Sequence, residues 1–229
     1  VREMAKLTEA RVFSYGLTSE ADLWADHVIG LGLDGIRFRL HYKNEIIHLR
    51  VPLIGRHSVH TALRAAAVGL NDGLSWQEIV DGLQSGKSQL RLVAVRSESG
   101  AIILDDTYNA SPESTLAALN LLDDLDGKKI AVLGDMLELG QYEKQGHDLV
   151  GARVAEVVDE LVTIGEKAKW IAAAASQAGM ELNRIKEFDS SEDSVEYLKE
   201  HLASNHAVLV KGSRGMQMEI IVTALEIVR

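Results

Sequence analysis

The sequence predicts an α/β protein built in two parts. Antiparallel hairpins with two helices fill residues 1–88, and a parallel sheet covered by helices on both faces fills residues 89–229. Three observations predict this. Apolar and polar side chains alternate with a period of two between residues 36 and 53, the mark of half-buried strands. Beyond residue 100, short apolar runs recur between longer helical stretches, the rhythm of parallel strands joined by helices. The charge also shifts: residues 1–88 hold 10 Lys and Arg against 10 Asp and Glu, whereas residues 89–229 hold 14 against 24 and carry the whole net charge of −10.

In the first part, Ile36, Phe38, Leu40 and Tyr42 alternate with Arg37, Arg39 and His41. After a Lys43-Asn44 turn, Ile47, Leu49, Val51 and Leu53 alternate again. Asp34-Gly35 suits a tight turn ahead of these strands. His57 to Leu70 is rich in Ala and Leu, with Val59, Leu63, Ala66 and Leu70 on one helical face. Ser75 reads as the N-cap of a helix over Trp76 to Leu83, and Gln84 to Gln89 as a linker. In the second part, strands are predicted at 102–104, 130–133, 161–164 and 208–210. Helices are predicted near 112–124, 143–158, 167–178, 192–203 and 216–228. Ser111-Pro112 marks one helix start, with Ser as N-cap and Pro at the first helical position.

Composition narrows the function. At 46% hydrophobic and 25% charged, the chain is globular rather than low-complexity. No apolar run reaches the ~18 residues of a membrane span. The start at Val1 has no signal-peptide pattern and no initiator Met, which reads as a piece of a longer protein. Cys is absent, which excludes disulfides, zinc–thiolate sites and Cys nucleophiles and fits a reducing cytosol. The acidic body argues against nonspecific nucleic-acid binding. His57 and His60 lack a nearby carboxylate to complete a metal site, and no G-x-S-x-G elbow supports serine catalysis. Gly30 to Gly35 matches G-x-G-x-x-G by letter, but strand residues follow it, so it is expected to be a hairpin rather than a dinucleotide loop. Gly86-Lys87-Ser88 is not a phosphate loop, because Asp81 stands where its first Gly would fall.

In open α/β sheets, ligands bind beyond the carboxyl ends of the strands. Two of these junctions are dense in hydrogen-bonding groups: Asp105-Asp106-Thr107-Tyr108-Asn109 and Lys211-Gly212-Ser213-Arg214-Gly215. Lysine and arginine beside glycines suit a carboxylate or phosphate. Gly134-Asp135-Met136 follows another strand, and Gly165-Glu166-Lys167 reads as ordinary turn chemistry.

Four separated segments resemble the Mur ligase family. Gly55-Arg56-His57-Ser58-Val59-His60-Thr61-Ala62-Leu63 resembles its G-[RK]-H-N-x-x-N-A-L segment. Asp105 to Pro112 is similar to the D-D-[ST]-Y-N-A-x-P segment of the member that adds a dipeptide. Val132 to Gly140 and Val210 to Gly215 resemble later signatures of the same member. The resemblance runs from about Ala21 to Val228. It implies that residues 1–88 are the end of a P-loop-type ATP-binding domain without its Walker A loop. It implies that residues 89–229 are a Rossmann-like C-terminal domain.

It further implies a cytoplasmic, ATP-dependent ligase of peptidoglycan precursor synthesis that joins D-Ala-D-Ala to UDP-N-acetylmuramoyl-tripeptide. The peptide carboxylate is activated as an acyl phosphate, and the dipeptide amine displaces phosphate. ATP and Mg2+ would be held mainly by residues upstream of Val1, no metal ligand is assigned to this chain, and the chain alone is expected to form no product. By matched motif, Arg91 would approach the ATP phosphates as the catalytic arginine when the C-terminal domain closes. His57, Ser58, Thr61 and Asp106 would lie on the nucleotide, Asp106 on the ribose. Ser58 and Thr61 stand where the family usually has Asn, and a hydroxyl cannot present an amide's paired donor and acceptor. Tyr108, Asn109, Asp135, Lys211, Ser213 and Arg214 would line the dipeptide pocket. Lys211 or Arg214 would grip the dipeptide carboxylate, and Asp135 would either favour the ammonium or act as a structural cap. The alternatives are a sister ligase adding another amino acid and a non-catalytic nucleotide- or metabolite-binding module. The Asn-Pro-Arg motif expected of a diaminopimelate-adding sister is absent.

Overall fold

A computed structural model describes residues 2–85 and 92–227. The chain divides into two compact units, Val1–Ser88 and Gln89–Arg229.

The first unit is a four-stranded sheet in the order β1 (Tyr15–Gly16), β2 (Leu23–Gly30), β3 (Ile36–Tyr42), β4 (Glu45–Val51). β1 runs parallel to β2, and the other pairs are antiparallel. The period-two pattern places Leu23, Ala25, Ile36, Phe38, Leu40, Leu49 and Val51 on one buried face. Helices α1 (Val59–Asn71) and α2 (Trp76–Gln84) cover that face with Val59, Ala62, Leu63, Ala66 and Ile79. Ser75 caps α2 as the sequence indicates, in a reciprocal box with Glu78. The two-residue turn Lys43-Asn44 is present, with Lys43 at φ +52°. Gly30 to Gly35 joins two antiparallel strands, Gly30 opposite Ile36, so the glycines serve a hairpin. That connection is longer than a tight turn: it contains a 3-10 turn at Gly32–Asp34 and ends on Gly35 at φ +96°. A Cβ on Gly35 would lie 2.1 Å from the Val51 carbonyl oxygen, so only glycine fits. β2 escapes the sequence pattern because its register shifts between Asp26 and Ile29, with His27 at φ +48°. On the outer face, Arg39 grips Asp26 through two bonds of 2.7 Å and holds that carboxyl well below the usual range.

The second unit is a six-stranded sheet in the order β5-β6-β10-β7-β8-β9. Its strands are β5 (Val93–Arg96), β6 (Ile102–Asp106), β7 (Lys128–Gly134), β8 (Glu160–Ile164), β9 (Ile185–Phe188) and β10 (His206–Lys211). All neighbours are parallel except the edge strand β5, which is antiparallel to β6. The sequence pattern shows neither β5 nor β9, both short edge strands with few buried residues. The connecting helices are α3 (Pro112–Asp123), α4 (Glu143–Val157), α5 (Ala168–Gln177), α6 (Ser191–His201) and α7 (Glu219–Leu225). Ile103, Ile130, Val132, Val162, Ile164, Val208 and Val210 face α6 and α7. The alternate residues, among them Leu104, Ala131, Leu133, Leu161 and Leu209, are equally buried on the face of α3, α4 and α5. Ser111 caps α3 and Pro112 opens it. The last helix is shorter than the pattern over 216–228 indicates. Gln217 takes a left-handed conformation at φ +50° and separates a 3-10 turn at Arg214–Met216 from α7.

His206, buried at the start of β10, accepts a hydrogen bond from the Ala203 amide at 3.2 Å through Nδ1. Burial, and then the charge of Lys128, push its pKa down. The unfolded chain therefore takes up a proton that the folded chain resists, and stability falls as pH drops below about 6.5. His206→Asn is expected to flatten the pH dependence of the urea midpoint between about pH 7 and 5.5. An unchanged slope would show that His206 keeps its proton count on unfolding.

Candidate functional site

Strands β6, β7 and β10 end together at one edge of the second unit. The chain leaves β6 and β7 for α3 and α4 on one face, and leaves β10 for α7 on the other. Such a reversal opens a crevice beyond the strand ends. The three strands bring Asp106, Lys211 and Asp135 to this edge, and the loops after β6 and β10 add Tyr108, Asn109, Ser213 and Arg214.

Lys211 lies opposite Asp106 in the ladder. Its side chain is only 1% exposed, and Nζ donates to Asp106 Oδ2 at 2.6 Å and to the Asn109 carbonyl at 2.7 Å. Asp105 shapes the same loop: its Oδ1 accepts from the Thr107 amide at 3.1 Å and the Thr107 hydroxyl at 2.7 Å. Asn109 Oδ1 accepts from the Ala110 amide at 2.9 Å. Beyond this buried frame, Tyr108, Asn109 and Arg214 line an open cavity of about 380 Å³. The Arg214 guanidinium sits 5.8 Å from the centre of the exposed Tyr108 ring, a cation–π contact.

Asp135 and Ser213 are buried and do structural work. Asp135 Oδ1 accepts from the Ala168 amide at 2.7 Å, at the start of α5, and its carbonyl accepts from the Ser213 amide at 3.0 Å. A carboxylate placed there favours the positive end of a helix. Ser213 Oγ accepts from the Leu137 amide at 2.8 Å. Of the six side chains expected at the dipeptide pocket, the structure therefore brings three to the cavity and puts Lys211, Asp135 and Ser213 behind it.

His147 is a supporting residue that sequence reasoning missed. Fully buried in α4, it accepts from the Met136 amide at 3.0 Å through Nε2. Its Nδ1 lies 2.7 Å from the Glu143 carbonyl, which assigns the proton to Nδ1. The ring meets Trp170 edge to face at 5.6 Å. A lone histidine in a helix carries no signal of this; only the fold brings Met136 to it.

In the first unit, His57 and Ser58 lie in a 3-10 turn at Arg56–Ser58 that leads into α1. Ser58 Oγ donates back to the Ile54 carbonyl at 2.7 Å. Thr61 is exposed on the first turn of α1. Arg91 lies outside the described residues. Among the described residues, no group of three or more His, Asp or Glu could hold a metal ion. No helix there is long and apolar enough to cross a membrane.

Comparison with known proteins fits this layout. The Mur ligase glutamate ligase domain matches residues 90–214, and the Mur ligase middle domain matches residues 1–69. A UDP-N-acetylmuramoyl-tripeptide–D-alanyl-D-alanine ligase from Bacillus subtilis is 36% identical over 179 residues, covering 76% of this chain and 39% of the relative. The crystal structure of MurF from Acinetobacter baumannii superposes with a TM-score of 0.83 at 29% identity, covering 97% of this chain and 48% of that one. A MurF ligase from Thermotoga maritima, solved in complex with ADP, shares the fold with a TM-score of 0.73 at 22% identity over 92% of this chain and 47% of its own. The chain thus spans less than half the length of these relatives. With one family domain matched over more than half of its residues and a second over its first third, the chain belongs to the Mur ligase family.

Proposed function

We propose that this chain is the dipeptide-receiving part of an ATP-dependent, ADP-forming ligase that joins D-Ala-D-Ala to UDP-N-acetylmuramoyl-tripeptide in peptidoglycan precursor synthesis. The observation that supports this best is the cavity of Tyr108, Asn109 and Arg214, whose Asn109 carbonyl also accepts from Lys211 of the Asp106–Lys211 pair. Its volume of about 380 Å³ suits a small molecule. Arg214 is the group to grip the terminal carboxylate of the dipeptide, since a guanidinium fork pairs with a carboxylate through two bonds. Tyr108 holds that guanidinium in place from one side. Asn109 offers its side-chain amide at the cavity wall.

Asp106 faces the nucleotide in this reading. A carboxylate can accept from both hydroxyls of a ribose, which fits that job. His57, Ser58 and Thr61 are assigned to the nucleotide side and Arg91 to its phosphates, by their place in the family motifs. Mg2+ belongs to the reaction as the family runs it, and the described residues offer no cluster to hold it, so no step is routed through a metal on this chain. The chemistry left to these residues is orientation. The dipeptide carboxylate is held so that its amine meets the activated carboxyl carbon of the tripeptide, and holding two reactants in register lowers the barrier.

Arg214→Ala in the complete ligase is expected to raise KM for D-Ala-D-Ala roughly ten- to hundred-fold, the worth of a lost charge-assisted pair. KM for ATP should stay within two-fold or so of the parent. A raised KM for ATP with dipeptide kinetics intact would place Arg214 on the nucleotide and overturn the pocket assignment.

A further inference from the structure

Lys211 is the least exposed ionised side chain at the site, and its ammonium points away from solvent into the protein. Its two acceptors sit at opposite ends of one loop. Asp106 Oδ2 ends β6, and the Asn109 carbonyl lies three residues on, just past Tyr108. Asp105, within β6, anchors Thr107 at the start of the loop, whereas the bond of Asn109 to Ala110 is local and leaves the far end untied. Lys211 ties the far end of the loop, at the Asn109 carbonyl, to the last residue of the central strand.

Stability alone is a weak reason for such a pair. Burying an ammonium and a carboxylate is costly, and an apolar pair of the same size is often as stable or more so. What an apolar pair cannot do is fix the direction of a carboxylate and a carbonyl together. We propose that Lys211 is a positioning residue that serves both substrates at once. It aims the Asp106 carboxylate at the nucleotide and, through the Asn109 carbonyl, sets the backbone that carries Tyr108 and Asn109 toward the dipeptide. This rests on the reading of the site given above. It also assigns Lys211 a role different from direct contact with the dipeptide carboxylate.

The test uses the complete ligase with Lys211→Ala. KM for ATP and KM for D-Ala-D-Ala are measured along with the melting temperature, with and without ethylammonium. The ion is small enough to enter the space the side chain leaves. Both KM values are expected to rise roughly ten-fold or more. Ethylammonium, but not sodium at equal ionic strength, is expected to lower both together. A rise in only one KM, no rise in either, or a melting temperature restored by ethylammonium with both KM values still raised would each overturn the proposal. If Lys211→Ala does not fold, the double variant Asp106→Asn with Lys211→Met removes both charges. Its KM for D-Ala-D-Ala should still be raised, and a parental value would overturn the proposal. Failure here is separable from failure of the pocket reading. Arg214→Ala with parental dipeptide kinetics sinks the pocket reading, whereas Arg214→Ala behaving as expected beside an inert Lys211→Ala sinks this inference alone.

Discussion

Asp106→Ala is expected to destabilise this chain by about 3–5 kcal/mol, because it leaves a buried ammonium without its counter-ion. Lys211 is 1% exposed in its side chain and Asp106 15%, so water replaces the lost carboxylate poorly. The Asn109 carbonyl still accepts from Nζ, which keeps the cost from rising further. For a protein of this length such a loss lowers the melting temperature by roughly 10 °C. Asp106→Asn keeps an oxygen acceptor at the same reach and should lose less than half as much. A thermal melt of the two variants checks this directly, and equal, small shifts would mean that the pair is solvated. The result governs how kinetics are interpreted. A raised KM for ATP in Asp106→Ala mixes nucleotide contact with local collapse, whereas Asp106→Asn isolates the charge.

Gly165→Ala should also cost about 2–5 kcal/mol, for two separable reasons. Gly165 follows β8 at φ +98°, a conformation that strains any L residue. Its added Cβ would also lie 2.7 Å from Asp135 Oδ1 and 2.8 Å from Met216 Cε. That oxygen accepts from the Ala168 amide at 2.7 Å, so relieving the clash breaks the cap of α5. Gly179 supplies the control, since it has φ +103° and nothing within 4 Å of a Cβ. Gly179→Ala should therefore show the strain alone, about 1–2 kcal/mol. Urea denaturation of both variants gives the difference. Equal losses would mean that Asp135 moves aside at no cost, and that its bond to α5 contributes little.

The parts legible in the sequence were those set by neighbours in the chain. Ser111-Pro112 and Ser75 mark their helix starts because capping is decided within four residues. The alternation around Phe38 and Leu49 shows because one face of β3 and β4 is buried. β2 hides behind its bulge, and β5 and β9 are too short and too little buried to stand out. Among the candidate residues, Tyr108, Asn109 and Arg214 stand out in the sequence because strand ends are where such folds keep polar groups, and the structure places all three at one cavity. The burial of Lys211 could not. A lysine beside glycine looks like a solvent-facing anion contact until the ladder sets it opposite Asp106, 105 residues earlier in the chain. Asp135 was open between ammonium and cap for the same reason, because Ala168 is 33 residues away.

β10 is the last strand among the described residues, yet it lies in the middle of the sheet, between β6 and β7. During synthesis, β6, β7, β8 and β9 leave the ribosome with a gap where their central partner belongs. Loop-closure entropy must be met before the long-range pairing of β10 repays it. The facing edges of β6 and β7 stay unpaired until β10 emerges, and unpaired strand edges leave the nascent unit prone to aggregation. Loss of the chain from His206 onward would therefore remove far more than one helix: it would leave two half-sheets with no seam, and no frame for the loop between Asp106 and Asn109 to close upon.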